Sequence, residues 1–177
     1  MEEEQYGSIR DGAGKRYLLS PMYMLLGDNK AALTSFLWFE EKFPDDIGEP
    51  GQYLCWALCL YRSGSSREAE KKLIQTALRN LYMIPHLIHK DIDVLDIWHY
   101  SNYAEKEYLE DIPDEYWELW KPNETAWAAE LWQRNSTQDI IEEYIDLSHQ
   151  LLSAPGGSSE RQVIISRKRE IERSFDY

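Results

Sequence analysis

Apolar positions recur at helical spacing through most of this chain, and glycine and proline divide them into segments. The run GKRYLLSPMYMLL, residues 14–26, predicts a first helix that stops at Gly27, where a left-handed backbone suits glycine. Asp28 or Asn29 is placed to cap the next helix, KAALTSFLWFEEKF, which Pro44 terminates. A second pair follows. QYLCWALCLYRS leads to Gly64, with Tyr53, Trp56, Ala57 and Leu60 on one stripe. SSREAEKKLIQTALRNLY comes next, opened by Ser65 and Glu68 in a capping-box arrangement, striped by Ala69, Leu73, Ala77 and Leu81, and ended by Pro85. Pro21 conflicts with the first helix, because an interior proline costs about 3 kcal/mol; a kink or a later start is expected there.

The two pairs share a frame. Gly27 aligns with Gly64, Ala32 with Ala69 and Phe36 with Leu73, each 37 residues apart, the kind of period that stacked helical repeats produce. Gly27, Ala32, Phe36 and Pro44 stand where the tetratricopeptide repeat has its turn glycine, small alanine, aromatic residue and terminal proline. Residues 11–85 therefore resemble two such repeats. More narrowly, DGAGKRYLLSPMYMLLGDNKAAL, from Asp11 to Leu33, resembles the D-N-x-G-x-R-Y-L-L opening of a group of bacterial tetratricopeptide proteins, with Gly12 in place of asparagine, and NLYMIPHLI resembles their N-P-x-V-P-x-Y-L segment. Thr76 stands where the repeat usually has alanine, and the period exceeds the usual length of about 34 residues. The resemblance implies an all-α fold in which two hairpins form a fragment of a right-handed superhelix. Its concave face would bind a partner protein, with Arg16, Tyr23, Gln52 and Tyr53 of the leading helices exposed along it.

Beyond Pro85 the repeat is lost. Short helices are expected over 91–108 and 113–120, then a firmer one over 124–133 capped by Asn123. STQDIIEEYIDLSHQLLS is amphipathic, with Ile140, Ile141, Tyr144, Leu147, Leu151 and Leu152 on one side. APGGSS, residues 154–159, reads as a linker, and 160–175 as a last helix opened by Ser159. The chain is thus expected to be one helical domain over 1–177, with 91–153 as irregular acidic helices that cap the stack.

Charge sharpens this division. The net charge of −13 is regional: residues 91–146 hold sixteen acids against Lys106, Lys121 and Arg134, and the flanks nearly balance. Such a surface disfavours phosphate backbones and suits a basic partner if it selects one by charge. SRKRE at 166–170 is too short to reverse that. Tryptophan concentrates in the same region. Trp98, Trp117 and Trp120, with the acids Asp114, Glu115 and Glu118, form a candidate partner-binding set, although aromatics at helical spacing also suit a core that seals the repeat stack.

Catalytic signatures are missing. DGAGK lacks phosphate-loop spacing, and His86, His89, Asp91, Asp93 and His99 lie close in sequence without matching a metal motif. Cys55 and Cys59, one helical turn apart, have no second pair to complete a zinc site and read as buried thiols. No cofactor is implied. MEEEQYGSIRD shows neither the basic start nor the apolar run of a secretory signal, so a cytoplasmic chain is expected. Three functions fit this pattern: a non-enzymatic protein-interaction module, an acidic immunity or antitoxin-type protein that neutralises a basic effector, and a metal-dependent enzyme using the His86–His99 segment.

Overall fold

The computed structural model describes residues 14–175, and every regular element among them is helical. Asp11, Gly12 and Ala13 of the opening segment lie outside the described residues. The elements are α1 (Lys15–Leu25), α2 (Asn29–Lys42), α3 (Pro50–Arg62), α4 (Ser66–Arg79) and α5 (Met83–Leu87). Two 3-10 turns follow at Asn102–Ala104 and Lys106–Asp111, then α6 (Asp114–Glu118), α7 (Pro122–Gln133), α8 (Asn135–Ser153) and α9 (Ser159–Arg173). None of these helices is long and apolar enough to cross a membrane.

Consecutive helices pair, α1 with α2, α3 with α4 and α8 with α9; α1 and α2 both pack on α3, and α8 packs on α4. The turns follow from local chemistry. Gly27 and Gly64 take φ of 76° and 81°, and a Cβ at either would meet nothing within 4 Å, so glycine is needed there for its backbone rather than for space. The Asp28 carboxylate accepts a bond from the Ala31 N–H at 2.9 Å, as a capping side chain should. Glu49 caps α3 through the Gln52 N–H at 2.8 Å, with Pro50 at the first helical position, where its missing donor costs nothing.

Several boundaries differ from expectation, each for an identifiable reason. α1 continues across the buried Pro21 without a later start. The Ser65 side chain makes no capping bond, and α4 ends at Arg79 because Asn80 turns extended. Pro85 does not end that helix but sits inside α5. Residues 91–100 form no helix, because their polar groups are used by neighbours: the Leu95 N–H donates to the Tyr82 hydroxyl at 3.0 Å and the Trp98 N–H to the Ser148 carbonyl at 3.0 Å. α7 starts at Pro122, and the Lys121 N–H is taken by the Glu124 carboxylate at 2.8 Å rather than by Asn123. Ser158, not Ser159, caps α9. Leu152 is exposed, outside the buried face of α8.

α3 is the centre of the core. Every residue from Pro50 to Leu60 is buried, since helices and the 105–112 segment enclose it on all sides. Gly51 accommodates this: a Cβ there would come within 2.8 Å of the Ile112 Cδ1. Cys55 and Cys59 are buried free thiols, as their sequence context suggested.

The acidic segment is tied to the N-terminal helices by Asn80. Its buried amide donates to the Tyr103 carbonyl at 2.8 Å and to the Glu105 carbonyl at 2.9 Å, while its oxygen accepts from the Tyr82 N–H at 3.0 Å. Asn80→Ala should therefore lose about 2 kcal/mol, roughly 1 per bond less what water recovers. Amide exchange over 101–106 should rise more than the global loss accounts for. Uniformly altered exchange would show that the anchor is not local.

Candidate functional site

A groove of about 780 Å³ opens between the C-terminal end of α2, the flanks of α3 and α4, Trp98, and the facing sides of α8 and α9. Its floor is aromatic. Trp56 stacks on Phe36 at 5.0 Å between ring centres and tilts against Tyr53 at 5.6 Å, and Phe39 meets Phe43 at 5.6 Å. Tyr144 and Trp98 continue it on the opposite wall. This wall exists because α8 presents Tyr144 and Leu151 to α4 and α9 while α9 returns antiparallel behind the Pro155–Ser158 turn.

Cations line the groove above these rings. The Lys72 ammonium lies 3.8 Å from the Trp56 ring centre and pairs with Glu40 at 3.0 Å. The Arg79 guanidinium lies 3.7 Å from the Tyr53 ring and donates to the Ile47 carbonyl at 2.6 Å. Lys168 is 6% exposed; its ammonium sits 4.0 Å from the Tyr144 ring and donates to the Ser148 hydroxyl. Arg169 and Arg173 stand at the rim. Among the described residues Arg79, Lys168, Arg169 and Arg173 have no carboxylate within ion-pair distance. Three of the four acids of the groove are engaged: Asp46 with Arg16 at 2.8 Å, Glu40 with Lys72, and Glu172 with the Tyr144 hydroxyl at 2.7 Å, while Asp45 is exposed at its edge. In a chain of net charge −13 the groove is thus a place where cations outnumber acids, with Lys72, Arg79, Lys168, Arg169 and Arg173 against Glu40, Asp45, Asp46 and Glu172.

Burial pushes the Lys168 amine down to about 8, only partly opposed by the Glu172 carboxylate. Because this folded value lies below that of an unfolded lysine, the native state carries a penalty at neutral pH that is relieved as pH rises from about 8 to 10.5. Relative to Lys168→Met, the wild type should gain stability over that window, and denaturant midpoints of both proteins at pH 7 and 9.5 check it. An anion seated on Lys168 should conversely raise its pKa, so affinity should fall between pH 7 and 9.

The residues singled out in the sequence are dispersed. Tyr53 borders the groove although it is only 6% exposed. Arg16 is half-buried beside it, held by Asp46 and the Tyr17 hydroxyl at 2.7 Å. Gln52 is a correction: it is fully buried within α3, because the central helix has no exposed face left. Tyr23 is partly buried against the core. Trp98 lies on the groove wall. Trp120 is buried and stacks on Trp127, which stacks in turn on Tyr61 at 4.4 Å, so these rings join α7 to α3. Trp117 meets the His86 ring edge-on at 4.8 Å. Asp114, Glu115 and Glu118 are exposed on α6, away from the groove lining.

The histidine segment is scattered too. His86 pairs with Asp91 at 2.9 Å and His99 faces the Tyr82 hydroxyl at 3.3 Å; among the described residues no three His, Cys, Asp or Glu side chains come together as metal ligands do. The sequence signal that was missed is in α9, where Lys168 and Glu172 fall on the inward side of a helix whose charges look like a solvated surface. No protein-family model matches the chain, and no curated protein or solved structure matches it either.

Proposed function

We propose that this chain is a non-enzymatic, tetratricopeptide-like interaction module whose groove takes an acidic segment of a partner protein. The observation that carries the reading is the pairing of an aromatic floor with four cations that lack carboxylate partners. Cations above aromatic rings favour an extended ligand that combines carboxylates with apolar side chains. The pairing of α1 with α2 and α3 with α4, and the left-handed glycines that join them, support the repeat-like part of the reading. The partner expected from overall charge was basic; the groove favours the opposite sign, because the acidity lies on a different surface.

Random peptides displayed on phage test this directly. Selection on the wild type should enrich Asp- or Glu-rich sequences containing Leu or aromatic residues, and the double variant Arg169→Glu/Arg173→Glu should lose them. Enrichment that is absent, or that survives the charge reversal, rejects the groove as the site.

A second reading keeps the acidic surface as the working face, as in an immunity-type protein that neutralises a basic effector. Glu105, Glu107, Glu110, Asp111, Asp114, Glu115 and Glu118 are all exposed, and none forms an ion pair within the described residues. Basic peptides recovered in the same selection, and lost on charge reversal at Asp114, Glu115 and Glu118, would favour it.

A further inference from the structure

α1 buries one side against α2 and α3 and leaves the other apolar. Leu18, Leu19, Met22, Leu25 and Leu26 are 50%, 42%, 57%, 43% and 77% exposed. Leu18, Met22 and Leu25 follow spacings of four and three, the stripe by which one helix seats on another, and Leu19 and Leu26 flank it. From Tyr17 to Gly27 there is no charged residue. We infer that this face associates with the same face of a second copy of the chain, across a two-fold axis, with the two α1 helices antiparallel.

The stripe is self-complementary. Its midpoint lies between Pro21 and Met22, so an antiparallel copy sets Leu18 against Leu25 and brings each Met22 next to the axis. The same alignment sets the Lys15 end of one helix beside the Asp28 end of the other, opposite charges at both rims. The area also fits. The five side chains expose on the order of 500 Å², near the upper limit for a patch on a monomer, and two copies would bury about 1,000 Å², the threshold for a specific interface. Electrostatics do not prevent the approach, because residues 15–42 hold four bases and three acids while the −13 resides in residues 91–146. The acids of α6, which packs near α1, add some like-charge repulsion. Association should therefore strengthen with salt, whereas acidic peptides should leave the groove.

Sedimentation equilibrium on the full chain from 1 to 100 µM should give twice 20.9 kDa at the upper end. Met22→Asp should remain monomeric with an unchanged circular dichroism spectrum, since the side chain is exposed. If that variant loses helicity, Leu26→Asp, the more exposed position, serves instead. Met22→Cys should be joined to its own copy by a short bis-maleimide, because Cys55 and Cys59 are buried. A monomer at every concentration, a dimer untouched by either aspartate, or a cysteine variant that does not cross-link overturns the proposal.

Discussion

Trp56→Ala should lower stability by about 3–5 kcal/mol, the range for deleting a buried aromatic side chain from a core. Trp56 is 1% exposed on the central helix, and its ring serves three neighbours at once: Phe36 stacks on it, Tyr53 tilts against it, and the Lys72 ammonium rests 3.8 Å from its centre. Truncation opens a cavity between α2, α3 and α4 that these rigid rings cannot collapse into. It also removes one of the two rings that face an ammonium only 3% exposed. For a chain of this length the melting temperature should fall on the order of 10 °C. Trp56→Phe keeps the stacking and should lose about half as much. A loss below about 1 kcal/mol for the alanine variant, measured by urea denaturation, would mean that α3 is not the element on which the hairpins depend.

That dependence explains which parts of the fold could be read from sequence. α1 to α4 were legible because each carries apolar positions at helical spacing, is bounded by Gly27 or Gly64, and pairs with its neighbour at a constant offset; these signals are local, and tertiary contacts had only to agree with them. Pro85 misled because the helix ends earlier, where the Asn80 amide bonds to carbonyls more than twenty residues away, and no local pattern encodes that partner. The stretch 91–100 has apolar spacing compatible with a helix, yet its N–H groups find the Tyr82 hydroxyl and the Ser148 carbonyl instead. Gln52 looked like an exposed polar position because helical periodicity assumes a solvated side, and α3 has none.

The groove was legible only in part. Its aromatic floor comes from α2 and α3 and was within reach through Tyr53. Of its cations Lys72 and Arg79 come from α4, but Lys168, Arg169 and Arg173 come from α9, far along the chain, and their placement depends on α8 and α9 folding back over α4. Total charge obscured it. A regional excess of acids gives the sign of the long-range field but not that of a concavity in which Lys72, Arg79, Lys168, Arg169 and Arg173 outnumber Glu40, Asp45, Asp46 and Glu172.

Glu124→Ala should be the most damaging single removal of a charge, at about 3 kcal/mol. The Arg62 guanidinium donates to both Glu124 oxygens, at 2.8 and 3.0 Å, and to the Leu119 carbonyl at 2.6 Å, and the two side chains are only 16% and 5% exposed. Without the carboxylate a partly buried guanidinium keeps a single carbonyl acceptor, and the Lys121 N–H at the start of α7 loses its cap. Arg62→Met/Glu124→Ala should recover part of the loss, since it removes the stranded charge along with its partner. Acid should reproduce the effect. Burial acts to raise the Glu124 carboxyl, but the bonds from Arg62 and the Lys121 N–H outweigh it and hold the group below its ordinary range. Its stabilisation is therefore present above the unfolded carboxylate value and lost as pH falls through the folded one. Glu49 acts oppositely, because burial raises its carboxyl despite the bonds from the Gln52 and Gly51 N–H groups, and its contribution improves toward acid. The difference between the wild type and Glu124→Gln isolates the first effect. It should be largest at pH 7 and shrink below about pH 4; a gap that stays constant to pH 3 would show that the Arg62 pair does not depend on the charge of Glu124.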